Sequence, residues 1–398
     1  MATRMATAIE AGKDSFKVGR AAAEKALLKL GGGSADFLAV FVSTAYQYGE
    51  VLRGIGEVSG SAAVVGCSTA GEFNEEGVYN RSVACAAISS DEMRFHTSLG
   101  RGLAKDEDAC FQQAVRSLPL GVEGYPHRSL VMLIDGLAGK GEEASLLPVL
   151  HFGSEITVAG GAAADDYLFK ESFVFHGHQA ERDALCLTLI SSRSPLAVGI
   201  AHGHHPITPA FKVTRAQGNR VYELDGQPAV ELWLKNAREH ARQVGLRVER
   251  LWEDEQALSK FTCIFEGGLD TGQGFKVRWT GMRSDTRDHL PFSCTIPEGS
   301  MMRIMTCTDE SLIESAENAA KNALSKAPGS RWAGALVFDC AVRGATLGNK
   351  FGKAVEGIRR VLGPIPFLGL ETYGEIGLES GQLSGFHNTT TVVLLIPG

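Results

Sequence analysis

No window of the 398 residues reads as a basic run, and 39 Lys and Arg stand against 46 Asp and Glu for a formal net charge of −7. Nucleic acid and anionic membrane surfaces are therefore poor partners, since both are gripped through clustered positive charge. Long apolar runs are missing too. Nowhere do about 18 apolar residues follow one another, and Met1 to Arg20 carries scattered charges where a secretory signal would be apolar. The expectation is a cytoplasmic protein. Its eight cysteines (Cys67, Cys85, Cys110, Cys186, Cys263, Cys294, Cys307, Cys340) lie far apart with no C-x-x-C pair. Neither a disulfide scaffold nor a zinc ribbon fits that spacing, whereas reduced, buried thiols do. Proline is scarce at 13 residues and glycine plentiful at 47, which predicts many tight turns.

What is present is a repeat. An apolar run of strand length, Phe37 to Val42, precedes a helix-like stretch from Tyr46 and a short run, Ala62 to Val65, that ends in Gly66-Cys67-Ser68-Thr69-Ala70-Gly71-Glu72-Phe73. Near the other end, Ala335 to Cys340, a helix over 349–361 and Leu368 lead into Gly369-Leu370-Glu371-Thr372-Tyr373-Gly374-Glu375-Ile376. The two octets share Gly, Thr, Gly, Glu and an apolar residue at equal spacing, and each is followed by an exit strand, Val83 to Ile88 and Thr391 to Ile396. A weaker middle copy runs from Leu130 to Asp135, through a helix over 142–152, to Ile156 to Ala159, the turn Gly160 to Asp166, and the strand Ala184 to Ile190. Strand, helix, strand, glycine turn, strand predicts an α/β fold with repeat-built, mostly parallel sheets flanked by helices. Residues 104–118 and 311–324 have helical periodicity, Phe211 to Leu224 reads as a hairpin, and Pro228 opens a further helix. The main boundary is expected near Asp225. That gives an N-terminal tail and helix over 1–34 and two subdomains, 35–225 and 226–398.

Taken together the motifs resemble the FIST family, sensory proteins with an N-terminal and a C-terminal FIST domain. The resemblance is carried by Gly66 to Glu72, Gly160 to Ala162 with Asp165 and Asp166, and Val213 to Ala229. It continues in Phe338-Asp339-Cys340 with Arg343, Tyr373 to Gly377, and Phe386 to Thr390. It implies a small-ligand sensor and no enzyme. Some free-standing bacterial members look like haem-binding nitric-oxide sensors that act on a histidine kinase. Repeat units occupy the chain from Phe37 to Pro397, so the expected output is contact with a signalling protein; a homodimer stays open.

The glycine turns are the first candidate site. Backbone N–H groups at Gly66, with Ser68, Thr69, Thr372, Tyr373 and the acids Glu72, Asp165 and Glu375, have the chemistry to hold a small polar ligand such as an amino acid. Against this, Gly71-Glu72 and Gly374-Glu375 read equally well as structural turns, and Asp165 as a turn cap. No phosphate-binding loop is present, and Gly66-Cys67-Ser68 fails the G-x-S-x-G elbow, so a Cys67- or Ser68-dependent hydrolase or transferase is the least favoured class. Histidine is the other candidate. His176-Gly177-His178 and His202-Gly203-His204-His205 hold five of the eleven imidazoles. His202, His204 and His205 are the candidate haem ligands, and without C-x-x-C-H the cofactor would be a non-covalent haem b. His387 reads as structural.

Overall fold

The computed structural model describes residues 3–398 apart from 273, 379–381 and 383. The chain is three copies of one unit, the third interrupted by an insertion. The first copy comprises β1 (Arg4–Glu10), α1 (Ser15–Lys29), β2 (Phe37–Val42), α2 (Tyr48–Ser59), β3 (Ala63–Ser68), β4 (Glu72–Asn74), β5 (Gly77–Tyr79) and β6 (Val83–Ser89). The second repeats it as β7 (Met93–Arg101), α3 (Glu107–Val115), β8 (His127–Asp135), α4 (Gly141–Phe152), β9 (Thr157–Ala163), β10 (Val174–His176), β11 (Gln179–Glu181) and β12 (Ala184–Ser192).

The third copy opens with β13 (Ala197–His202) and is then interrupted. The insertion holds β14 (His205–Pro206), β15 (Phe211–Gln217), β16 (Arg220–Leu224), β17 (Gln227–Pro228), α5 (Ala229–Gln243), α6 (Glu255–Ile264), β18 (Glu266–Asp270), β19 (Phe275–Arg278), β20 (Leu290–Pro291) and β21 (Met301–Thr306). The copy resumes with α7 (Asp309–Ser325), β22 (Trp332–Cys340), α8 (Ala341–Leu347), α9 (Phe351–Leu362), β23 (Phe367–Thr372), β24 (Glu375–Leu378), β25 (Phe386–His387) and β26 (Thr390–Pro397).

The three units exchange strands in a ring. Each has a six-stranded sheet whose last two strands come from a neighbour: β10 and β11 complete the first sheet, β24 and β25 the second, β4 and β5 the third. The crossovers join the parallel pairs β2/β3, β8/β9 and β22/β23, as the repeat predicted; the remaining partners are antiparallel, so the sheets are mixed. Apolar runs without alternation follow from burial on both faces. Phe37, Ala39 and Phe41 of β2 enter the core shared by the three sheets, while Leu38, Val40 and Val42 pack under α1 and α2. In β8, Val131 and Leu133 face the shared core and Leu130, Met132 and Ile134 the helices. Leu336 and Phe338 face inward from β22, with Ala335 and Val337 turned toward α7 and α9.

One expectation changes, and the boundary gains a structural context. Residues 4–10 are no tail, because β1 pairs along its length with β6 as a sheet edge. The boundary near Asp225 falls inside the insertion, in a turn where Asp225 is left-handed at φ 50°. β13, on the N-terminal side of that point, pairs with β26 in the third unit's sheet, so the divide in space encloses residues 203–308. The insertion has its own core around Trp233, Phe261 and Phe265, under a sheet of β14 to β21. All eight cysteines are free thiols, seven of them buried, as their spacing predicted.

Candidate functional site

The three glycine turns meet at one end of the shared core and hydrogen-bond to one another in a cycle. Ala70 donates its N–H to the Glu371 carbonyl (3.1 Å) and Glu371 donates to Gly71 (2.8 Å). Tyr373 donates to Ala162 (2.9 Å), Ala162 to Gly374 (2.7 Å), and Ala164 to Ser68 (3.0 Å). This ring uses the backbone groups that a ligand at the turns would need. Gly66 and Gly160 are small because a neighbouring strand is close: a Cβ would lie 1.7 Å from the Val40 carbonyl oxygen at the first and 1.8 Å from that of Met132 at the second.

The repeated glutamates are pins. Glu72 is fully buried and accepts from the hydroxyls of Thr69 and Ser82. Glu375, equally buried, accepts from the Thr372 hydroxyl (2.8 Å) and the Thr390 N–H (3.1 Å). With no cation beside it, burial pushes the Glu72 carboxyl up to about 8, and burial likewise holds Glu375 well above the usual carboxylate range. Ser68 donates to the Ala164 carbonyl at 2.6 Å and accepts from the Phe173 N–H. Asp165 caps its own loop, accepting N–H bonds from Phe169, Lys170 and Glu171, and takes the Tyr373 hydroxyl at 2.6 Å. Gly66, Ser68, Thr69, Glu72, Asp165 and Glu375 therefore hold the ring together and do not line the cavity described next. Thr372 and Tyr373 do.

That cavity, about 340 Å³, lies between the ring and the insertion. The second unit contributes Asp135, Tyr167 and Phe169, the third Thr372, Tyr373 and Asn388, and the insertion Asn219, Trp279, Arg283 and Ser293. Phe169 stacks on Tyr373 at 4.9 Å with 12° between the rings. The loop carrying Tyr167 and Phe169 is strained. Asp166, Tyr167 and Phe169 take left-handed φ values of 52°, 63° and 52°, at roughly 1–2 kcal/mol per such residue. Holding it are the three bonds to Asp165, with Tyr167 donating to the Ala341 carbonyl or to Glu371, at 2.8 and 2.9 Å. Burial raises Glu371 to about 8, and desolvation beside Glu371 moves the Tyr167 hydroxyl upward.

Polar contacts tie the insertion to the rim. Arg278, itself buried, pairs with Glu142 at 2.7 Å and donates to the Phe386 carbonyl at 3.0 Å. Ser293 donates to Asn388 at 2.6 Å, and Thr295 to Glu143 at 2.7 Å. Of the cavity's polar side chains, only those in the repeated octet were singled out from sequence as ligand-binding. Asn219 and Asn388 fall in motifs read as a hairpin and as a family stretch; Trp279 and Arg283 carry no local signal at all.

The histidines do not converge. His202 has Nε2 3.1 Å from the Phe275 carbonyl, and its Nδ1 accepts from the His204 N–H at 3.3 Å. His204 is sealed in the junction to the insertion, with neither ring nitrogen hydrogen-bonded and Nε2 3.8 Å from Glu266 Oε1. Burial holds it well below the usual imidazole value. His205 is exposed on β14, and His176, on β10, sits 3.1 Å from the Thr97 hydroxyl. A haem iron takes an imidazole nitrogen as its axial ligand; His202 has both ring nitrogens in hydrogen-bond contact and lines a separate cavity of about 720 Å³, His204 is sealed, and His205 alone presents an exposed ring. Among the described residues no three His, Cys, Asp or Glu side chains gather as a metal site, and no helix is long and apolar enough to cross a membrane. His387 is structural, buried with Nε2 2.9 Å from the Gly377 carbonyl.

A ring of three α/β units bearing an insertion, with a ligand-sized cavity between the two, defines the class: a multi-unit α/β scaffold with an interdomain pocket. Comparison places it further. A FIST N domain model matches residues 36–227 and a FIST C domain model residues 243–378, and the chain belongs to the FIST family. An uncharacterized protein of Methanocaldococcus jannaschii is 22% identical over 65% of this chain and 51% of its own length. Uncharacterized proteins of Mycobacterium bovis and Mycobacterium tuberculosis are each 26% identical over 60% of both chains. This chain thus spans between half and three fifths of those relatives. A cyanuric acid hydrolase of A. caulinodans is 12% identical with a TM-score of 0.29, covering 48% of this chain and 72% of that one.

Proposed function

We propose that the protein is a small-ligand sensor, and that its ligand occupies the cavity between the ring and the insertion. The observation that carries this reading is the make-up of the wall: side chains from the second unit, the third unit and the insertion meet around one space. A ligand there touches both bodies at once. It shifts their arrangement to the extent that it binds one arrangement better than the other, which is the only way a ligand drives such a change. The signal then passes to a partner protein through the displaced surface. Haem-based nitric-oxide sensing, and a histidine kinase as that partner, are narrower readings; the placement of His202, His204 and His205 gives them no support.

The test is a thermal-shift and tryptophan-fluorescence screen against amino acids, organic acids, purines and sugars, run on the wild type and on Val342→Trp. Val342 is a half-buried wall residue, so the larger ring fills the space. A ligand that stabilises the wild type and fails to stabilise the variant is expected. A ligand that stabilises both equally binds elsewhere and overturns the assignment, as does a screen in which nothing binds.

A further inference from the structure

The wall of this cavity is biased toward hydrogen-bond donors, and its aromatic rings present faces while their polar ends are used elsewhere. Resting on the cavity reading above, we infer that the ligand class is an aromatic carboxylate.

Tyr167 and Tyr373 direct their hydroxyls away from the cavity, the first to the Ala341 carbonyl and Glu371, the second to Asp165. Their rings, with Phe169, Trp279, Phe292 and Phe386, leave an apolar wall suited to a flat conjugated molecule. Among the described residues the one acid on the wall is Asp135, and it is already satisfied. Its oxygens accept from the Leu137 N–H at 3.0 Å, the Ser172 hydroxyl at 2.5 Å and the Asp183 N–H at 2.6 Å. An ammonium group would find no free carboxylate there.

Donors are in the opposite condition. Arg283 is the wall's only cation; it is exposed, and no ion pair or side-chain hydrogen bond to a described residue holds its guanidinium. Asn388 accepts with Oδ1 from Ser293 and from the Trp279 N–H, which leaves its amide N–H groups for a ligand. A carboxylate at the mouth would meet Arg283 in the planar, two-pronged geometry a guanidinium favours, while the ring of the same molecule lies among the aromatic side chains.

The experiment is calorimetric titration of the full chain with benzoate, 4-hydroxybenzoate, phenylacetate and indole-3-acetate, against phenethylamine and tryptamine as cationic counterparts and acetate and succinate as non-aromatic ones. The aromatic acids should bind and the others should not. Arg283→Gln should weaken binding by about ten- to a hundredfold, the loss of one charge-assisted contact. That side chain makes no hydrogen bond or ion pair to another described residue, so an unchanged melting temperature will show the fold intact. Arg283→Lys should recover part of the affinity, since it restores charge but not the fork. Aromatic acids that bind Arg283→Gln as tightly as the wild type overturn the inference. Binding of the amines, or of neither aromatic set, also overturns it. The cavity reading fails separately, when no ligand of any class loses its binding in Val342→Trp.

Discussion

At the scale of single residues, the repeated octets show how one pattern serves two purposes. Thr-x-Gly-Glu was visible as a duplicated motif, but spacing alone does not tell a pin from a ligand group, because both need an acid three residues after a hydroxyl. The structure decides by burial: Glu72 and Glu375 are closed off, while Thr372 and Tyr373 of the same turn reach the cavity. Glu72→Ala should therefore destabilise the fold by about 2 kcal/mol or more, by stranding the hydroxyls of Thr69 and Ser82. Glu72→Gln keeps the shape and one acceptor oxygen, and its amide N–H can donate to the other hydroxyl once that rotates, so it should stay within about 1 kcal/mol of the wild type. Urea unfolding reads both, and ligand affinity should be the same in Glu72→Gln as in the wild type. A stable Glu72→Ala protein that had lost ligand binding would return this glutamate to the site.

At the scale of elements, the loop from Ala164 to Glu171 is where local sequence and local structure disagree. Asp166, Tyr167 and Phe169 are poor candidates for left-handed backbone, and glycine would be the expected choice at each. Asp165 holds most of the strained backbone from within, while Asp166 is anchored to Ser43 and Thr44 and Tyr167 to Ala341 and Glu371. Asp165 accepts three backbone N–H groups, so Asp165→Ala should release the loop, remove the acceptor of the Tyr373 hydroxyl, and loosen the stack of Phe169 on Tyr373. Amide exchange at Phe169 to Glu171 should accelerate toward that of an open loop while the central strands β2, β8 and β22 keep their protection. Unchanged protection there would mean that the anchors of Asp166 on Ser43 and Thr44 and of Tyr167 on Ala341 and Glu371 fix the loop without Asp165. Asp165 as a cap was legible, since a short acid after a glycine turn commonly bonds its own backbone. The cavity it supports was not. Its wall joins residues as far apart in sequence as Asp135, Trp279 and Asn388, and only strand exchange brings them together.

The whole molecule explains both what the repeat revealed and what it hid. The strand runs and crossovers of the three copies were readable because burial on two faces leaves unbroken apolar stretches. The flanking β1 and β7 escaped notice, being edge strands of weaker pattern, and β13, legible as a strand-like run over 196–201, could not be assigned to the third copy because the insertion parts it from the rest of its unit. The ring and its junction with the insertion gather uncharged acids and bases, which gives stability a defined pH course. Glu72, Glu266 and Glu371 are each raised by burial to about 8, so between the unfolded carboxylate value near 4.5 and pH 8 the folded state holds protons that the unfolded chain has released. Their contribution is complete below that window and is lost as pH rises through it. His204 and His387 act with opposite sign. Burial lowers both, His387 to about 3, so their contribution is complete above the unfolded value near 6.5 and is lost as pH falls below it. From 4.5 to 6.5 the two groups oppose each other. Between 6.5 and 8 the glutamates dominate, with Lys276, lowered by burial to about 8, acting against them only at the top of the interval, and urea midpoints should fall across it. Glu371→Gln should flatten the decline, since a neutral amide has no proton to lose; a midpoint that rises from pH 6.5 to 8 would mean that these carboxyls are ionised inside the folded ring.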